Sequence, residues 1–277
     1  MDYWLLPAIR RLLASYRSVR PSTESLGETT SMLPTAAPRA ADDLSGHGDA
    51  LVSTVTPKED LPRVLGQRYT LVDPLGSGGM GTVWRSHDKL LRREVAIKEV
   101  IIPAGVPTRE RELLYERMLR EARAAAALNH PSVVSIFDVV NYNDRPWIVM
   151  ELLEASSITD IIRDHGPMTP LRVAEVGLAV LGALATAHSA GVLHRDVKPG
   201  NVLITTAGRV VLTDFGAARC PNDTPLTSTG LLLGSPQYIA PERARGRPFG
   251  PASDLFSLGS SLYAAVEGRP PFDRGEP

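Results

Sequence analysis

His194-Arg195-Asp196-Val197-Lys198-Pro199-Gly200-Asn201 is the stretch on which the reading of this chain turns. An Asp, a basic residue two places on and an Asn three further on make a catalytic loop. Asp196 can accept a proton from a substrate hydroxyl, Lys198 can neutralise a phosphate, and Asn201 can ligate a divalent ion. Alone, such an octet could arise by chance in any loop. It has company on both sides. Upstream lie Gly76-Ser77-Gly78-Gly79-Met80-Gly81-Thr82-Val83 and Val95-Ala96-Ile97-Lys98; downstream lie Asp214-Phe215-Gly216 and Ala240-Pro241-Glu242.

The surrounding sequence bounds what these motifs sit in. At 277 residues the chain can bury a sizeable core in one or two domains. A net charge of −1 gives no support for a nucleic-acid binder, which would be basic. One cysteine, Cys220, excludes an intrachain disulfide framework and suits a reducing compartment, so a cytoplasmic location is expected. No run of about 18 apolar residues marks a membrane span, and Met1 to Ala14 does not read as a signal peptide. Residues 1–20 place Leu5, Leu6, Ile9, Leu12, Leu13 and Tyr16 at helical spacing among four arginines, a possible amphipathic helix. Residues 21–66 are rich in Ser, Thr, Pro, Gly and Asp without periodicity and read as a linker. The folded domain is expected over 67–277.

Glycine triplets also open helices in dinucleotide-binding units. Here they lead into Thr82-Val83-Trp84-Arg85, an alternating β-like run, so a strand–loop–strand hairpin is the better reading. Arg93 to Val100, Val133 to Val140 and Trp147 to Leu152 read as further strands, and Arg109 to Leu128, free of Gly and Pro, as a helix. Five strands and one helix therefore precede a mainly helical remainder. Leu171 to Ala190 is apolar nearly all round and is expected to be buried.

The five motifs occur in the order of the protein-kinase signature set, and the chain resembles a eukaryotic-like serine/threonine protein kinase of bacterial type over roughly residues 67–277. The resemblance implies an α+β, two-lobed fold: a five-stranded antiparallel sheet with one helix, then a mostly helical lobe, with ATP between them. It implies roles as well. The loop from Leu75 through Gly76, Ser77, Gly78, Gly79, Met80, Gly81 and Thr82 would cover the phosphates. Lys98 would hold the α- and β-phosphates and pair with Glu121 on the helix. Leu75, Val83, Ala96 and Leu203 would sandwich the adenine, Met150 would flank its back, and backbone groups of Glu151 and Leu153 would bond its edge. Asp196 would be the base, with Lys198 beside it as in serine/threonine kinases, and Asn201 and Asp214 would hold Mg²⁺. Arg195 would bind a phosphorylated activation segment, with Thr227 and Thr229 as the acceptor threonines. Asp254 would anchor the catalytic loop.

The family continues beyond Pro270-Pro271-Phe272 with further helices, one of whose turns supplies an arginine for the position of Glu242. Without them, Glu242 is expected to be a buried unpaired charge and the helix after Asp254 to expose apolar surface. The resulting expectation is an ATP- and Mg²⁺-dependent enzyme acting on protein Ser/Thr hydroxyls, with self-association for trans-autophosphorylation. The alternatives are a nucleotide-binding pseudokinase or scaffold, and an inactive truncated kinase fragment. Lys98, Asp196, Asn201 and Asp214 are all intact, which favours the enzyme.

Overall fold

A computed structural model describes residues 64–78, 81–101, 106–143, 145–215 and 236–272. The helix expected over 1–20, most of the 21–66 linker, Cys220, Thr227 and Thr229 lie outside them.

Six antiparallel strands form the first sheet: β1 Val64–Leu65, β2 Tyr69–Gly78, β3 Gly81–Asp88, β4 Arg93–Glu99, β5 Ile136–Tyr142 and β6 Arg145–Met150, in the order β1-β2-β3-β4-β6-β5. One strand more than expected is present, because the two-residue β1 pairs with Thr70 and Tyr69 inside the stretch read as linker. Alternating and β-branched residues dictate the centre. Val95 to Glu99 and Pro146 to Met150 are continuously buried, since these neighbouring strands are covered on both faces. Helix α1, Thr108–Ala126, packs against β5 and buries Leu114, Ala122 and Ala125.

The remainder holds helices α2 Ile158–His165, α3 Pro170–Ser189, α4 Pro241–Ala244 and α5 Pro251–Glu267, and a second sheet of β7 Ala155–Ser157, β8 Val202–Thr205 and β9 Val210–Leu212. Local chemistry sets the helix starts. Ser157 and Asp160 exchange capping hydrogen bonds at α2, and Thr169 caps α3 ahead of Pro170. Helix α3 is the centre of this body. Val173, Val176, Val180, Ala183, Leu184 and Ala187 recur at helical spacing and pack with Ile158, Val202, Leu212, Phe215 and Leu258.

Three sequence expectations change here. Helix α3 is not buried all round: Leu178 is 68% exposed, and Leu171 and Leu181 lie on the outside with it. By length and composition alone α3 could cross a membrane, but its other face is the core just described. The strand expected from Val133 starts at Ile136, because Val133 bridges in parallel to Leu212 of the other sheet. Glu242 is half-buried rather than buried and unpaired: the Ser253 hydroxyl donates to its carboxylate. Leu255 on α5 is exposed.

Candidate active site

One face of the first sheet supplies half of the site. In register, Gly76 faces Val83, Val83 faces Lys98, and Ala96 faces Met150. Cross-strand partners share a face, as do alternate residues of one strand, so these five positions line a single surface. A bulge between Pro74 and Gly76 takes Leu75 out of the ladder and leaves it exposed. A side chain at Gly76 would meet nothing within 4 Å, whereas one at Gly81, at φ 124°, would lie 2.1 Å from the carbonyl oxygen of Glu99. Gly81 is thus required by packing, and Gly76 leaves room against the sheet. Ser77, Gly78 and Thr82 lie at the tip of the same hairpin, while Gly79 and Met80 fall outside the described residues.

Below this face, Ala96, Val134, Met150 and Val211 pack together with Val83, Leu152 and Leu153. Leu203, expected to sandwich the adenine with Val83 and Ala96, is not in that cluster. It is half-exposed and directly opposite Val211 across β8 and β9, so the two project from one face of the small sheet. The chain leaving β6 is pinned: the Glu151 amide donates to the Ser135 carbonyl at 2.9 Å.

The loop from His194 to Asn201 is built around carboxylates. Lys198 Nζ lies 2.8 Å from Asp196 Oδ2, and Asn201 Nδ2 donates to the same oxygen at 3.1 Å and to the Asp196 carbonyl at 2.7 Å. The loop backbone is anchored by Asp254, 2% exposed, which accepts from the amides of His194 (2.9 Å) and Arg195 (2.8 Å) and pairs with His188 Nε2 (2.8 Å). Arg195 and Asp214 adopt φ 70° and 64°, a left-handed conformation that costs non-glycine residues about 1–3 kcal/mol and clusters at working sites. Arg243 donates to the Arg195 carbonyl, which holds that conformation from the other side.

The charge pairing departs from the expected one. Lys98, 4% exposed, sits 2.7 Å from Asp214 Oδ2. Glu121 instead accepts from Arg195 Nη1 at 2.8 Å, with Arg117 3.5 Å away one turn earlier on α1. Both carboxylates have found a cation, but not the partition the motifs suggested. The physical reason is that every charge is satisfied without the expected contact: Arg195 and Arg117 neutralise Glu121, and Asp214 neutralises Lys98.

His194 is fully buried, edge-on to Phe215 at 4.6 Å. Its Nε2 donates to the Thr213 carbonyl (2.8 Å), while Nδ1 accepts from the Asp196 amide (3.2 Å), which fixes a neutral ring. Both ring nitrogens are thus committed to backbone groups. Burial holds its pKa below the ordinary value near 6.5. Above about pH 6.5 neither folded nor unfolded ring is charged, and the stability is complete. As pH falls below that, the unfolded chain takes the proton first, and stability drops by up to about 1.4 kcal/mol per pH unit until the native value is passed. Urea unfolding between pH 7.5 and 5.5 is expected to show this slope, and His194→Gln, though less stable, is expected to flatten it.

A small antiparallel sheet over a helical body, with a lysine–aspartate pair and an acid-bearing loop where they meet, is the two-lobed α+β architecture of protein kinases. The protein kinase domain model matches residues 69–277, and the chain belongs to that family. Among its curated relatives, a probable serine/threonine-protein kinase of Corynebacterium efficiens is 41% identical over 221 residues, covering 77% of this chain and 33% of the relative. The serine/threonine-protein kinase PknB of Mycobacterium leprae is 40% identical over 216 residues, covering 76% and 34%. The chain thus spans about a third of the length of these relatives. Among solved structures, the kinase domain of Mycobacterium tuberculosis PknI aligns with a TM-score of 0.62 at 29% identity over 77% of this chain and 80% of that one.

Proposed function

We propose that this chain transfers the γ-phosphoryl group of ATP to serine and threonine hydroxyls of proteins. The observation that carries the reading is the convergence of Lys198 and Asn201 on the Asp196 carboxylate, together with the Lys98–Asp214 pair that joins β4 to the segment after β9. Asp196 takes the hydroxyl proton as the oxygen attacks phosphorus and the bond to the β-phosphate oxygen breaks. Lys198 offsets charge on the transferred group, and Lys98 holds the remaining phosphates. The residues fit Mg²⁺: with Asn201 Nδ2 committed to Asp196, its amide oxygen is the free donor, and Asp214 adds a carboxylate. Such a hard cation takes a few protein oxygens, waters and phosphates, and when bound it neutralises the phosphate charge. Gly76, Val83, Ala96, Met150, Leu153 and Leu203 form the nucleotide's seat in this reading. Transfer of label from γ-labelled Mg-ATP to a serine or threonine peptide tests it; no transfer with nucleotide still bound would favour the pseudokinase alternative.

The charge partition supports a resting arrangement. A phosphate on Thr227 or Thr229 would draw Arg195 away from Glu121 through a bidentate, charge-assisted contact. Glu121 could then reach Lys98, leaving Asp214 to the metal. Self-association would let one copy phosphorylate another. Mass spectrometry after incubation with Mg-ATP is expected to find phosphate on Thr227 or Thr229, and phosphate confined to residues 21–60 would count against this switch.

A further inference from the structure

Arg209 stands immediately before β9, between Asn201 and Asp214 but in neither motif, and three of its guanidinium nitrogens are engaged. Nη1 and Nη2 contact the two carboxylate oxygens of Glu151 at 2.7 and 2.9 Å, and Nε donates to the Pro131 carbonyl at 2.7 Å. Glu151 is the residue directly after Met150, where the chain passes between the lobes. Its Oε1 also accepts from the Ser135 amide at 2.8 Å, while its own amide donates to the Ser135 carbonyl. Burial alone would raise the Glu151 carboxyl, but the bonds from Arg209 and Ser135 outweigh it and hold it below the usual range.

The turn that presents Arg209 is itself closed. The Thr205 amide donates to the Arg209 carbonyl at 2.9 Å, the Arg209 amide to Thr205 Oγ1 at 3.0 Å, and the Gly208 amide to the Thr205 carbonyl at 2.8 Å. Gly208 takes φ 82°, which a side chain would strain. One guanidinium therefore joins three segments: the inter-lobe strand end at Glu151, the loop at Pro131, and the β8–β9 turn. The bidentate geometry fixes orientation as well as distance.

We infer that Arg209 is a positioning residue for the nucleotide: its clamp on Glu151 sets where the backbone of residues 151–153 meets the adenine edge. This rests on the reading of that segment as the nucleotide's seat. The clamp touches neither the phosphates nor the acceptor hydroxyl, so its loss acts on binding of ATP rather than on the chemical step.

The test uses the full chain and compares wild type, Arg209→Ala and Arg209→Lys for KM of ATP, KM of a threonine peptide, kcat and unfolding temperature. Arg209→Ala is expected to raise the KM for ATP about three- to tenfold with kcat and the peptide KM within about twofold. Arg209→Lys keeps the charge without the fork and is expected to fall between the two. Binding of a fluorescent ATP analogue is expected to weaken in the same order. A lower unfolding temperature with an unchanged KM for ATP in both variants, or equal changes in all kinetic constants, would overturn the inference and leave the kinase reading standing. Failure of wild type to bind Mg-ATP at all would overturn both.

Discussion

Asp196→Asn is expected to lower phosphoryl transfer by about 10²–10⁴-fold while leaving Mg-ATP binding within about twofold of wild type. The substitution preserves shape but removes the proton acceptor and the charge that holds Lys198 at 2.8 Å. The nucleotide's proposed partners, Lys98 and Asp214, belong to β4 and to the segment after β9, and they hold each other at 2.7 Å. Initial rates with a threonine peptide and direct binding of an ATP analogue separate the two effects. Wild-type turnover in this variant would remove Asp196 from the role of base.

The second large effect is expected at Asp254. Replacing it by Ala leaves the buried amides of His194 and Arg195 and the ring of His188 without their acceptor. A stranded buried donor costs about 1–3 kcal/mol, and removing one partner from a buried charged network about 3–5 kcal/mol. Against a typical domain stability of roughly 5–15 kcal/mol, that is enough to shift the fold measurably toward unfolding. Activity is expected to fall with it, since Arg195 at φ 70° loses the bond that holds it there. Urea titration should show the midpoint fall; a loss below about 1 kcal/mol would mean that the loop holds its shape without this anchor.

The parts of the molecule that were legible in advance are those whose chemistry is local. Thr82-Val83-Trp84 after the glycines distinguishes a hairpin from a helix start, and β2 and β3 pair there as that alternation requires. Helices α1 and α3 fall within a few residues of their expected bounds because their patterns are long. The short elements were not legible. Strand β1 has two residues, and β7, β8 and β9 three or four each, too few for alternation to register. The roles of His188 and Arg209 were also out of reach, because each partner lies far along the chain or is a backbone group. Glu121 marks a different boundary. Sequence identifies the acid, but not which of Lys98, Arg117 and Arg195 it holds, since all three pairings satisfy the same charges.

The anchorage of the segment after α1 bears on how that choice could be made. The Val134 amide donates to the Leu212 carbonyl at 3.1 Å, and the Leu212 amide to the Ser132 carbonyl at 2.9 Å. His130 lies over Gly182 of α3, where an added methyl would come within 3.0 Å of its ring. Residues 130–134 are therefore fastened to the helical body on two sides, although α1 itself packs on the upper sheet. A pivot of α1 on this segment would turn the helix as a lever about a fixed fulcrum. Glu121 stands seven residues before Leu128, an arm of about 10 Å at 1.5 Å per residue, so a tilt of about 20° carries its carboxylate roughly 3.5 Å. A rotation of that size, with no helix unwound and no strand broken, moves the acid by the length of one ion pair.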